Sequence, residues 1–227
     1  MCFTPAVSLT TAIIEFVLAA IIPWKYPRAS LRYIFSFFLI LLGFYQFTEF
    51  MLCQTGDADL WVKIGFITYS FLPAIGLHSV FEFMNYRFNK FILYLIPIFY
   101  SIIALASSNF VLHGTCDKIF VTTVTMLFKY PTLWTFYMLY YAGFIAVTVG
   151  VSLHEYYKER NRERRLLFLI MPLAVLLMSL PTFILILIFP VFGVRFPSVL
   201  CHFAIFVAII AFFGVHLENN YQKKIKK

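Results

Sequence analysis

Charge is scarce in this chain. Only 12% of its 227 residues are Asp, Glu, Lys or Arg, whereas 62% are hydrophobic and the mean hydropathy is +0.88. Soluble domains carry about twice that share of charge, so a soluble fold is excluded. Acidic residues number ten, histidines five and cysteines four. The sequence also lacks a phosphate-binding Gly-rich loop, an H-E-x-x-H pair and a G-x-S-x-G elbow. The net charge of +8 sits at the ends of apolar runs. A nucleic-acid surface needs a basic groove interleaved with aromatics, so no nucleic-acid partner is expected.

What is present is apolar length. A bilayer core about 30 Å thick needs roughly 20 apolar residues in a helix rising 1.5 Å per residue. Seven stretches qualify, from about Ala6 to Trp24, Leu31 to Cys53, Trp61 to Met84, Phe91 to Leu112, Leu133 to Tyr156, Leu166 to Pro190 and Pro197 to Leu217. Membrane β-strands would be short and alternating in polarity, whereas these runs are continuous. The expected fold class is therefore all-α, a polytopic membrane protein of seven transmembrane helices. Fourteen of the 18 Lys and Arg fall in the first, third and fifth connections and after the seventh run. Basic residues mark the cytoplasmic side, which predicts the N-terminus outside and the C-terminus in the cytoplasm of a cell membrane. The first run has no basic leader and contains Glu15, so it is expected to stay in the mature chain. No fixed-period repeat appears, giving one seven-helix domain over 1–217 and a short basic cytoplasmic tail over 218–227.

Within the outer loop from His113 to Thr132, the Val-, Thr- and Phe-rich stretch Lys118 to Phe128 suggests a short β-hairpin lid. Cys53 ends the second run and Cys116 lies in this loop, so a disulfide between them would pin the lid in an oxidising outer compartment; two unpaired thiols are the alternative.

Polar residues inside a bilayer are costly and mark function or packing. Glu15 lies mid-run in the first span, Gln46 and Glu49 share a face of the second, and His202 lies inside the seventh with Ser198 one turn before it. Together they could line an outer ligand-binding pocket, or each could bond a neighbouring helix. Toward the other side, His78 and Glu82 are one turn apart and form a second polar site. No cofactor or metal is expected. His202 and His216 are fourteen residues apart, about 21 Å along a helix, too far to share an ion. Bis-histidine haem fails on similar depth grounds, and the seventh span has no lysine for a retinal Schiff base.

Leu60-Trp61-Val62-Lys63-Ile64-Gly65-Phe66, followed by Leu72-Pro73 and Leu77-His78, resembles the third helix of the seven-helix N-terminal sensor regions of bacterial histidine kinases. Tyr45-Gln46 with Glu49 and Cys53, then Phe196-Pro197-Ser198 with Cys201-His202, resembles a stand-alone group of small prokaryotic seven-helix proteins of unassigned function. The resemblance implies a prokaryotic cytoplasmic membrane and a sensory role. Only Glu218 to Lys227 follows the seventh run, so signalling is expected to need a cytoplasmic partner, for which the basic stretch Lys158 to Arg165 is the candidate. Ser198-x-x-x-His202 resembles a motif of the alkaline ceramidase-like intramembrane zinc hydrolases, although their second pair of histidines is lacking.

The leading expectation is a non-enzymatic sensor or binder of a small apolar or amphiphilic ligand in an outer-facing pocket, with membrane lipid as a further partner. No catalytic residue is assigned. An intramembrane hydrolase or lipid-modifying enzyme using His202 is the alternative, and a proton-linked transporter using the buried carboxylates is a third reading.

Overall fold

An apolar run placed in lipid finds no water for its amides and bonds them within the segment, as a helix. The structure is a computed structural model and describes residues 5–87, 89–116, 121–188, 196–197 and 200–225. Among these it forms seven α-helices: α1 (Pro5–Lys25), α2 (Arg32–Thr55), α3 (Ala58–Phe83), α4 (Leu95–Ala106), α5 (Pro131–Lys158), α6 (Arg162–Ile188) and α7 (Leu200–Ile225). Five of them, α1, α2, α3, α5 and α7, are long and apolar enough to cross a membrane.

The distribution of side chains explains the composition. Large apolar residues face outward on most helices, among them Ile13, Val17, Phe37, Ile102, Leu139 and Phe213. Inside lie small polar residues such as Ser36, Thr48, Ser70 and Ser152. Close helix contact favours such residues when the outside is as apolar as the core. Several return their hydroxyl proton to the preceding turn: Ser70 donates to the Phe66 carbonyl at 2.6 Å, Ser101 to Pro97 at 2.7 Å and Thr148 to Phe144 at 2.7 Å.

The fourth run departs from expectation. A 3-10 turn, Lys90–Tyr94, precedes α4, which stops at Ala106 rather than continuing to Leu112. The polar sequence Ser107-Ser108-Asn109 ends it, with Ser107 already extended at ψ 115°. The apolar residues beyond serve a different element: Phe110 is fully buried, and Val111–Cys116 is the first strand, β1. It pairs antiparallel with β2 (Val121–Thr125), and β2 pairs antiparallel with β3 (Phe196–Pro197), which opens the approach to α7. The lid hairpin anticipated over Lys118 to Phe128 thus begins earlier, and Met126–Lys129 is a 3-10 turn. Gly114 seats β1 on the first turns of α3, since a Cβ there would lie 2.9 Å from the Ala58 Cβ.

At the opposite end, α7 runs through Glu218 and Asn219, which sequence placed in the tail. Both are buried, and both hold the α1–α2 connection. Glu218 accepts from the Ser30 amide at 2.9 Å, the Ser30 hydroxyl at 2.5 Å and the Leu31 amide at 3.2 Å, while Asn219 Oδ1 accepts from the Arg28 amide at 3.1 Å. Amides at a helix start have no intrahelical acceptor, so a carboxylate from another helix is a favourable cap. Replacing Glu218 with Ala leaves the buried Leu31 amide unpaired and removes the acceptor of Ser30, which is expected to cost about 2–3 kcal/mol; Glu218→Gln retains an acceptor and should cost about 1 kcal/mol. Unfolding of the two variants in detergent micelles measures the difference, and equal losses would contradict the capping role.

Candidate functional site

The helix α3 is packed on several sides, touching α2, α4, α5, α6 and β1. Its first half forms one wall of a pocket at the sheet end of the bundle. Trp61, Val62, Gly65, Phe66 and Tyr69 come from α3, Tyr45, Thr48, Glu49 and Leu52 from α2, and Thr123 and Thr125 from β2. The space amounts to about 430 Å³ counted to its open mouth. The strand places threonine hydroxyls over an aromatic interior because alternate residues of β2 point the same way.

Packing at the helix seam shapes the pocket. A Cβ at Gly65 would lie 2.9 Å from Thr48 Oγ1, so only glycine permits this approach of α3 to α2. The Thr48 hydroxyl donates to the Tyr45 carbonyl at 2.7 Å. Tyr45 in turn hydrogen-bonds Glu49 one turn on, and its ring meets that of Tyr69 edge-on at 5.8 Å. Tyr69 and Tyr137 are hydrogen-bonded, and the Tyr137 hydroxyl lies 2.9 Å from Ser70 Oγ. Ser70 spends its own proton on the Phe66 carbonyl, so it accepts from Tyr137, and Tyr137 accepts from Tyr69. Tyr140 donates to the Ser70 carbonyl at 2.8 Å. A relay of hydroxyls therefore leads from the pocket wall into the α3–α5 interface.

The anticipated outer group is divided. Glu49 lines the pocket at 5% exposure. Glu15 and Gln46 are fully buried and are not in the pocket lining, although Glu15 is near enough to Glu49 for their charges to interact. Among the described residues neither the Glu15 carboxyl nor the Gln46 amide has a hydrogen-bond partner, an uncommon state for buried polar atoms. Ser198 lies outside the described residues. His202 sits in the first turn of α7, and its side chain lies outside what is described. Cys53 is disulfide-bonded, and the side chain of Cys116 lies outside the described residues.

His78 and Glu82 do share a face, with His78 Nε2 4.0 Å from the carboxylate. Each has a stronger partner from the segment before α4. Tyr94 Oη lies 2.6 Å from His78 Nδ1, and Lys90 forms an ion pair with Glu82. This is a tether between α3 and the 3-10 turn. No group of three or more His, Cys, Asp or Glu is placed to hold a metal among the described residues.

Sequence reasoning missed the aromatic walls and the threonine roof. The signal available was the helical spacing of Tyr137, Tyr140 and Tyr141 against Phe66, Tyr69 and Ser70. Gly65→Ala is expected to push α2 from α3 and destabilise the protein by about 1–3 kcal/mol. Gly143→Ala, where a Cβ meets nothing within 4 Å, should be neutral or stabilising. Unfolding curves of the two variants in one detergent provide the comparison, and matching curves would contradict the tight seam.

Compared with known proteins, the chain matches no family model, no curated protein and no solved structure.

Proposed function

We propose that this protein is a seven-helix membrane protein that binds a small apolar or amphiphilic molecule in the pocket beneath the β-hairpin and acts as a sensor without catalysing a reaction. The observation that carries this reading is the make-up of the pocket: walls of Tyr45, Trp61, Phe66 and Tyr69, with the Glu49 carboxyl as its polar anchor and Thr123 and Thr125 above. Small-molecule sites are typically apolar clefts with a few polar groups that fix orientation. A carboxyl among aromatic rings suits an apolar body with a hydrogen-bonding or cationic head. The disulfide at Cys53, with Cys116 as its proposed partner, anchors the hairpin: β1 lies against α2 and α3, near the end of α2 that carries Cys53.

In this reading the sheet end faces outward and the basic end lies in the cytoplasm of a prokaryotic cell membrane. Fourteen of 18 Lys and Arg support that orientation. The α5–α6 connection, where Lys158, Arg160 and Arg162 are exposed, is the docking surface for a signalling partner.

A thermal-shift screen of the detergent-solubilised protein against small apolar and amphiphilic compounds is expected to find a stabilising ligand. At one hundred times Kd, such a ligand adds about 2.7 kcal/mol. Glu49→Gln should reduce the shift, and Thr123→Trp, which fills the roof, should abolish it. A compound that stabilises all three proteins equally would remove this pocket as the site. For orientation, Arg160→Cys should react with a membrane-impermeant maleimide only after the cells are permeabilised; labelling of intact cells would invert the topology.

A further inference from the structure

A second cavity lies at the other end of the bundle, between the C-terminal ends of α1 and α7. It measures about 720 Å³ counted to its open mouth, and its lining includes Lys25 and Lys223, His216 and Asn220, and the rings of Tyr26 and Phe212. No acidic residue lines it. The nearby carboxylates are committed elsewhere, Glu218 to the start of α2 and Glu163 to Lys224. Among the described residues neither Lys25 nor Lys223 has a carboxylate partner. Lys25 Nζ instead stands 5.3 Å from the Phe212 ring centroid and 5.8 Å from that of Tyr26. The His216 ring packs edge-on against Tyr26 at 5.5 Å, and its Nε2 is 2.9 Å from Asn220 Nδ2. Both helices end here, and the partial negative charge of helix C-termini favours cations. An anion in this groove is therefore bound by side chains rather than by backbone.

The surroundings identify the anion's carrier. Val17, Ile21 and Trp24 form a one-sided stripe on α1 leading to the groove, with Trp24 89% exposed. Phe206, Ile209 and Phe213 are exposed on α7, and α7 packs on α1 through Ala19, Ile22, Ala208, Ala211 and Val215. Exposed tryptophan beside lysines is the pattern of a helix end at the membrane–water interface. A soluble phosphate compound would use the cations and ignore the apolar stripes; a phospholipid uses both.

We propose that this groove is a binding site for the phosphate headgroup of an anionic phospholipid, with Lys25 and Lys223 paired to the phosphate, Asn220 and His216 hydrogen-bonding to it, and the acyl chains lying along α1 and α7. Basic pockets between membrane helices recognise anionic headgroups through the same combination of charge and apolar flank.

The test is native mass spectrometry of the full chain in detergent, titrated with dioleoylphosphatidylglycerol, with dioleoylphosphatidylcholine and with glycerol 3-phosphate. Phosphatidylglycerol is expected to remain bound, and phosphatidylcholine to bind more weakly. Lys25→Gln and Lys223→Gln should each weaken phosphatidylglycerol binding about fivefold, with the two losses multiplying in the double variant. Arg at both positions should restore binding, and Arg87→Gln, an exposed basic residue outside the groove, should leave it unchanged. Unaltered binding by the double Gln variant overturns the site. Displacement of the lipid by glycerol 3-phosphate at equal concentration assigns the groove to soluble phosphate compounds and overturns the lipid. If the Gln variants do not fold, the wild type decides: equal retention of the two lipids, unmoved by salt, overturns the proposal.

Discussion

Inside an apolar bundle surrounded by apolar solvent, a polar group can bond only to the protein itself. That constraint organises this molecule. Serine and threonine hydroxyls return to their own helix, as at Ser70 and Thr148, so the helices can approach without leaving donors unpaired. Glu218 is spent on the bare amides of α2, and Tyr94 and Lys90 occupy His78 and Glu82. Against this economy, Glu15 and Gln46 have no hydrogen-bond partner among the described residues, and Glu49, bonded to Tyr45, also lines a pocket.

The two ends of the bundle solve different problems. At the sheet end the polypeptide leaves the helical layer and covers it: β1 lies on α3, β2 overhangs the pocket, and Phe110 and Leu127 sit in the core beneath. Aromatic rings dominate there, with Tyr100, Tyr137 and Tyr140 packed around Phe66. At the basic end the described residues form no such cover. Connections are short and are fastened by individual bonds, such as Glu218 to the α1–α2 turn and Arg164 to Glu159 at 3.3 Å. One end is built as a chamber and the other as a clasp.

Much of this was legible in the sequence because a long apolar run has few alternatives to a helix, and the helical segments follow those runs except at the fourth and at the end of the seventh. There, Phe110, Val111 and Leu112 continue the apolar composition past Ser107-Ser108-Asn109, and composition cannot distinguish a lipid-facing residue from one buried under a sheet. Glu218 and Asn219 were hidden by the lysines that follow them, since a charge beside charges reads as solvated. Glu49 could be singled out because carboxylates are rare. Its neighbours Tyr45 and Trp61 entered only through the resemblance motifs and Tyr69 not at all, because one residue in five is aromatic and none is conspicuous as a pocket wall. The roof residues Thr123 and Thr125 come from a separate part of the chain, and only folding places them over Glu49.

The three-stranded sheet gives the pocket's cover a mechanical attachment. Thr123 pairs with Phe196 and Thr122 with Pro197, and α7 begins three residues after Pro197. The roof strand and the segment that leads into α7 therefore share one ladder of hydrogen bonds. That helix is clamped at its far end to the α1–α2 turn by Glu218 and Asn219. The helix that follows the roof's third strand in the chain is thus the same one that fastens the α1–α2 turn at the opposite end, so the cover of the chamber and the clasp lie at the two ends of one element.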